Sequence, residues 1–289
     1  MERIILGDNQ FFAVNHLSDE KSRAQAMRFR TTNAIIEVLD IAYDLGIGTF
    51  MCTTHDRIAE VCEHIRSQPS RYQNFKIYPC MPYAHKYANA VTEYGVIEAL
   101  KRFMPGKMLE TAAKGGFALI RKDFMEMMKL LVDAEMKMFT GIKTEVIFLQ
   151  NIITDLILGL GMYDFFVGFA KHIKAKYGAE PGFITMNMPF LLDVLEKQGI
   201  LNPIICASIN KIGFRMSGGK ESYEKTIMER KFRPMAMQVL AAGALAPEEA
   251  MEYVCKQKKI ESIVFGASTR NHIKQTKELI EQMSSRFGL

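Results

Sequence analysis

The chain has 289 residues, of which 48% are hydrophobic and 24% charged, and it carries a net charge of +5. This composition suits a soluble protein with one large core. Lys and Arg are scattered rather than gathered into a basic face, so no nucleic-acid partner is expected. The most apolar region, Val146 to Phe169, is interrupted by Gln150, Asn151, Asp155 and Asp164, so no membrane span is expected either. Five cysteines occur without a CxxC or a metal-finger spacing, and the start of the chain is too short in apolar length for a signal peptide. The expectation is free thiols in a reducing compartment, hence a cytoplasmic protein. Twenty methionines and no tryptophan point to flexible core filler, the alternative being a Met-lined site for a soft or apolar ligand.

Apolar runs ending in polar residues recur along the chain. Strand one is expected at Arg3–Leu6, leading into Gly7-Asp8-Asn9-Gln10. A helix follows at Thr32–Leu45, with Ile35, Ile36, Leu39 and Ala42 on one face and Gly46 as its stop. Strand two, Thr49–Cys52, delivers Thr53, Thr54 and His55, and Asp56–Arg66 is helical. Strand three, Lys76–Cys80, precedes Tyr83, His85 and Lys86. The gap before strand four is too long for one helix, and patterns at Val91–Phe103 and Phe117–Met138 predict a helical insertion around residues 87–143. Strand four is Glu145–Leu149, followed by Gln150-Asn151, an apolar piece at Ile152–Leu160 and a helix at Asp164–Lys176. Strand five, Phe183–Met186, ends at Asn187 before a helix at Phe190–Glu196. Strand six, Ile204–Ala207, ends in Ser208-Ile-Asn-Lys211, and Glu221–Arg230 is helical. Strand seven is expected at Met235–Leu240, and Pro247 is placed to open a helix to Lys256.

The last unit is the plainest. Ile263-Val264-Phe265 meets the small-residue turn Gly266-Ala267-Ser268, and a helical pattern starts at once with Ser268 or Thr269 as its N-cap. Unpaired N–H groups at such a helix start favour an anion, with Arg270 as charge partner. Eight strands alternating with helices imply parallel pairing with right-handed crossovers. The fold class is therefore α/β, a (β/α)8 TIM barrel forming a single domain over residues 1–289 with the insertion between strands three and four.

Several stretches resemble the aldo/keto reductase superfamily. Near the end these are Ala242-Gly243-Ala244, Glu249-Ala250-Met251-Glu252-Tyr253-Val254, Val264-Phe265-Gly266-Ala267-Ser268 and Arg270. A weaker likeness covers Gly46-Ile47-Gly48-Thr49-Phe50-Met51-Cys52-Thr53. The resemblance implies a TIM-barrel oxidoreductase with NADP as cofactor, held by Gly243, Gly266, Ala267, Ser268 and Arg270. It does not extend to the catalytic Asp-Tyr-Lys-His set. Met51 or Cys52 stands where the family has Asp, and Asp56-Arg57-Ile58-Ala59 supplies no Tyr. Strand three ends in Pro79-Cys80-Met81 without Lys, and strand four in Gln150-Asn151 without His.

Residues after the strands face the end where barrel enzymes keep their sites. His55 is the first general acid/base candidate because it follows strand two and titrates near neutrality, with Asp8 on the adjacent strand as its partner. His85 stands in reserve. Lys211, beyond strand six, could form a Schiff base if burial lowered its pKa, the alternative being an exposed lysine. That chemistry, or a divalent cation held by Asp8, His16, His55, Cys80 and His85, would make the protein a lyase or isomerase. No metal is assigned, because no His-x-His or two-His helical spacing occurs. Asn9, Gln10, Thr54, Gln150, Asn187 and Asn210 offer hydrogen bonds to a polar ligand, or else cap loops and satisfy backbone groups. A barrel that has lost catalysis and only binds is the third alternative. The expected partner is a small molecule carrying a phosphate, either a nicotinamide nucleotide or a phosphorylated sugar-like compound, with monomer and homodimer both left open.

Overall fold

The computed structural model describes residues 1–12, 19–83 and 117–289. Eight parallel strands pair in sequence order and close on themselves: β1 Ile4–Gly7, β2 Thr49–Thr53, β3 Lys76–Met81, β4 Val146–Leu149, β5 Glu180–Thr185, β6 Ile204–Ser208, β7 Arg233–Met237 and β8 Ser262–Phe265. Leu6 pairs with Phe50 on one side and with Phe265 on the other, which seals the barrel. The helices are α1 Asp19–Arg28, α2 Thr32–Asp44, α3 Asp56–Ser67, α4 Phe117–Met136, α5 Asn151–Gly159, α6 Asp164–Tyr177, α7 Met188–Lys197, α8 Lys220–Glu229, α9 Pro247–Lys256 and α10 Arg270–Phe287.

The period-two alternation of strand side chains sorts the apolar residues into two cores. Ile5, Met51, Tyr78, Cys80, Phe148, Ile184, Cys206 and Met235 fill the barrel interior. Phe50, Cys52, Ile77, Met81, Ile147 and Ile205 face outward into the larger core beneath the helices. Packing inside is close enough to dictate one glycine: a Cβ on Gly182 would lie 2.3 Å from the Phe148 ring. Gly46 ends α2 with φ +81, a conformation that favours glycine, as its position in the sequence implies.

Two strands differ from expectation by more than one residue. β5 starts at Glu180 rather than Phe183, and β7 covers Arg233–Met237 rather than Met235–Leu240. Both begin with a charged residue and a proline, which the apolar pattern excludes. Those charges close the N-terminal end of the barrel. Arg233 bonds Glu180 (2.7 Å) and Glu261 (3.1 Å), while Lys76 bonds Glu2 (3.1 Å) and Glu145 (3.0 Å). Of the expected insertion, residues 87–116 lie outside the described ones. The rest contains α4, which packs on the barrel through Met128, Val132 and Met136. Among the described residues no helix is long and apolar enough to cross a membrane.

Candidate active site

At the C-terminal ends of the strands lies a cavity of about 540 Å³. Its wall is mostly apolar, with Phe12, Met51, Ile184, Met186, Met237 and Leu240 among the side chains. Polar groups enter at separate points: Asp8, Asn9 and Gln10 after β1, Tyr83 after β3, Gln150 and Asn151 after β4, Arg215 after β6 and Gln238 after β7. A few polar groups set in an apolar wall are what a small-molecule site requires.

Among the described residues Asp8 is the one carboxylate of the wall. It is 7% exposed, and its Oδ2 accepts from the Thr53 N–H and the Thr53 hydroxyl, each at 2.7 Å. Burial raises its pKa above the ordinary carboxylate value, and the two Thr53 bonds offset only part of that rise. The neighbouring thiol of Cys80 is pushed well up by burial and by the Asp8 charge, and Cys206 is pushed to about 12 by burial alone. Both are therefore thiols rather than thiolates near neutral pH. The Tyr83 phenol, on the same side, is raised by burial, then by Asp8 and Asp56.

Tyr83 is held by a helix distant in sequence. Glu135 on α4 is buried, accepts the Thr54 hydroxyl at Oε2 (2.6 Å) and receives the Tyr83 N–H at 3.1 Å from both oxygens. Thr54, expected to bind ligand, is thus part of the frame and not of the wall. Asn210 is likewise structural: its Nδ2 donates to the Phe214 carbonyl and its Oδ1 accepts the Phe214 N–H, both at 2.8 Å. Asn187 stands at the N-cap position of α7 and does not line the cavity. Asn9, Gln10 and Gln150 do line it.

The pairing of Asp8 with His55 is not formed. His55 caps α3, its Nδ1 accepting the Arg57 N–H at 3.2 Å, and its ring stacks on Phe12 with centroids 4.2 Å apart. It lines a smaller pocket with Phe11, Phe29 and Arg57, which shares Phe12 and Tyr83 with the main cavity. A residue directly after a strand can serve the next helix as readily as the barrel mouth, and here it does. Lys211 is also removed from the chemistry, because it is exposed and ion-paired with Glu249. A Schiff-base lysine needs burial, so the lyase reading loses its nucleophile. His85 lies outside the described residues. Among the described residues no three His, Cys, Asp or Glu side chains come together as ligands for a cation.

The turn after β8 keeps its expected form, with Thr269 rather than Ser268 as the cap: its hydroxyl accepts the His272 N–H at 3.3 Å. Gly243 and Gly266 bring bare backbone to the cavity wall. Beside Gly266 the amide of Gln10, 5% exposed, is fixed by donating from Nε2 to the carbonyls of Gly7 (2.8 Å) and Ala267 (3.5 Å). These two acceptors set the amide orientation and leave Oε1 buried without a donor. Ala267, Ser268 and Arg270 stand beyond the wall at the start of α10, where the Arg28 guanidinium bonds the Ser268 carbonyl. Arg28 is a basic neighbour of this turn that nothing local in the sequence reveals. On the other side of Gly243, Gln238, Ala241 and Ala242 all hold positive φ (+53, +46 and +58). Gln238 is pinned there by the Ser208 hydroxyl at 2.6 Å.

No family model and no curated protein sequence matches the chain. Solved structures do. An aldo-keto reductase, described as putative, from Pseudomonas aeruginosa aligns at 12% identity over 98% of this chain and 90% of its own, with a TM-score of 0.57. The holo form of an aldo-keto reductase from Bacillus halodurans aligns at 10% identity over 99% and 91%, with a TM-score of 0.53. A variant of Gox0644 in complex with NADPH aligns at 9% identity over 98% and 89%, with a TM-score of 0.52. At such identities the likeness is one of fold: this chain has an aldo/keto-reductase-like barrel.

Proposed function

We propose that the protein is an oxidoreductase that binds a nicotinamide nucleotide, NADP by preference, across the β7–β8 side of the cavity and reduces a carbonyl compound at the β1–β3 side. One observation carries the reading. A single cavity joins a buried, protonatable carboxyl at Asp8 to the glycine-lined turns before α9 and α10.

The residues on the nucleotide side fit such a ligand. Gly243 and Gly266 allow close approach, and a Cβ on Gly266 would come within 2.5 Å of Gln10 Oε1. That orphan oxygen needs a donor, which a ribose hydroxyl or a carboxamide N–H supplies. The exposed first turn of α10, with Arg270 and the N–H groups beyond Gly266, suits a phosphate. When bound, the nucleotide supplies a hydride.

The remaining work falls to this chain's own side chains. With both Thr53 donors on Oδ2, Asp8 holds its proton at Oδ1 and delivers it to the substrate's carbonyl oxygen. Burial makes this possible by keeping a carboxyl protonated at a pH where an exposed one is ionised. Gln150 and Asn151 orient the carbonyl, and the apolar wall excludes water. The acid thus comes from strand one instead of the positions held by Met51, Cys80 and Gln150. The five cysteines, all free and buried, support a place in the reducing cytoplasm.

Titration of the purified protein with NADPH and NADP+, followed by thermal shift, tests the reading. A saturable rise in Tm is expected, and Arg270→Ala should weaken it by about 1.5–3 kcal/mol, the range for a hydrogen bond to a charged group. If neither nucleotide shifts the melting curve, the oxidoreductase reading is wrong.

A further inference from the structure

Charge around the cavity is uneven. Among the described residues, Asp8 is the only carboxylate in the wall, and burial favours its neutral form. Among the described residues Arg215 is also the only Lys, Arg or His there. Its guanidinium lies over the neighbouring Phe214 ring, 5.7 Å from the centroid, and among the described residues it makes no hydrogen bond or ion pair. The other basic residue of this loop, Lys211, turns outward to Glu249.

The loop is built to keep Arg215 where it is. Asn210, fully buried, clasps both backbone groups of Phe214, and the Ser217 N–H donates to the Met186 carbonyl at 2.9 Å. Met216 is buried between these anchors. Arg215 itself is forced to φ +55, a conformation that disfavours any residue with a β-carbon. A glycine or asparagine would relieve the strain, yet the position carries a long cation that reaches the cavity.

We infer that Arg215 receives an anionic group of the substrate, a carboxylate or a phosphate, so that the carbonyl compound handled here is an acidic one. The exit of β6 lies across the barrel from β1, with β7 and β8 between them on one side and β2 to β5 on the other. A ligand that touches both Arg215 and Asp8 therefore carries its anion at the end remote from its carbonyl. Ile184, Met186 and Met237 give the same cavity an apolar wall that suits a hydrocarbon spacer. Arg215 is exposed and, among the described residues, unpaired, so such a ligand exchanges its hydration for a charge-assisted, bidentate contact without breaking a bond within the protein.

The carbonyl chemistry rests on the oxidoreductase reading, whereas anion binding does not, and the test separates them. A medium-chain aldehyde acid, its methyl ester and the matching aldehyde phosphate are compared as substrates with NADPH. The saturated carboxylic acid is titrated by thermal shift without nucleotide. The expected result is a preference for acid or phosphate over ester of about tenfold to a hundredfold in kcat/KM, the worth of one charged hydrogen bond. Whichever anion is preferred identifies the group. Arg215→Ala should abolish the preference and the shift by saturated acid, Arg215→Lys should retain part of both, and NADPH affinity should be unchanged. Stabilisation by the saturated acid that needs Arg215 supports the inference even if no nucleotide binds, although the oxidoreductase reading then fails. Equal handling of acid and ester, with no stabilisation by the saturated acid, overturns it. So does an Arg215→Ala variant that loses NADPH affinity but keeps the preference, because the guanidinium would then serve the nucleotide.

Discussion

At the N-terminal end of the barrel Lys76 and Arg233 each sit between two carboxylates, whereas at the C-terminal end, among the described residues, Arg215 has no carboxylate and Asp8 no cation. Opposite charges at one end are matched within the fold, and at the other the ionisable groups stand apart around a cavity. Backbone strain follows the same division. Arg215, Gln238, Ala241 and Ala242, four of the five non-glycine residues with positive φ, follow β6 and β7 at the C-terminal end. The first end closes the barrel with ion pairs, and the second surrounds an open cavity. Conserving stability at one face and function at the other is the usual division in this architecture.

The sharpest way to break this comparison is Asp8→Asn. If Asp8 is the proton donor, turnover should fall by about 10²–10⁴, the scale of general acid catalysis. Its folded pKa is raised, so its protonated form contributes stability that is fully present below the ordinary carboxylate value and is lost as pH rises through the folded value. The asparagine variant should therefore melt higher than the parent near neutral pH, with the gain vanishing in acid. Melting curves across pH check the sign, and a variant that melts lower near neutrality would place Asp8 among the structural groups.

Arg233→Ala probes the opposite end. Its two ion pairs are partly exposed, so the loss should be about 1 kcal/mol, roughly 2–4 °C in Tm for a chain of this size, with kcat/KM unchanged. A drop in turnover without a drop in Tm would contradict the division of labour. His55→Gln is the smallest of the three. Loss of a helix cap costs about 0.5–1 kcal/mol, and turnover should change by less than about tenfold. A large rate loss would return His55 to the chemistry.

The alternation of apolar strands with amphipathic helices made the barrel legible before any coordinates. Pro247 opening α9, Gly46 ending α2 and the cap before α10 were legible for local chemical reasons. The starts of β5 and β7 were hidden because Glu180-Pro181 and Arg233-Pro234 look like turns until their partners across the barrel are known. At the strand exits, Asp8, Gln10 and Gln150 line the cavity, whereas His55, Thr54 and Asn210 do not. Those three follow their strands as closely, yet His55 caps a helix, Thr54 bonds Glu135 on α4 and Asn210 closes a turn. Arg215 gave no local signal at all. What singles it out is its place in the cavity wall without a partner among the described residues, which only the assembled barrel displays.

Glu135 has a consequence of its own. The N–H of Tyr83 belongs to a segment just beyond β3, and such amides ordinarily trade their protons with water quickly. Here that N–H is bound to a buried carboxylate on α4, which also holds the Thr54 hydroxyl from the end of β2. In heavy water the Tyr83 amide should take up deuterium at the pace at which α4 lifts from the barrel, so one slowly exchanging proton beyond the end of a strand would report the motion of a helix more than fifty residues away in sequence.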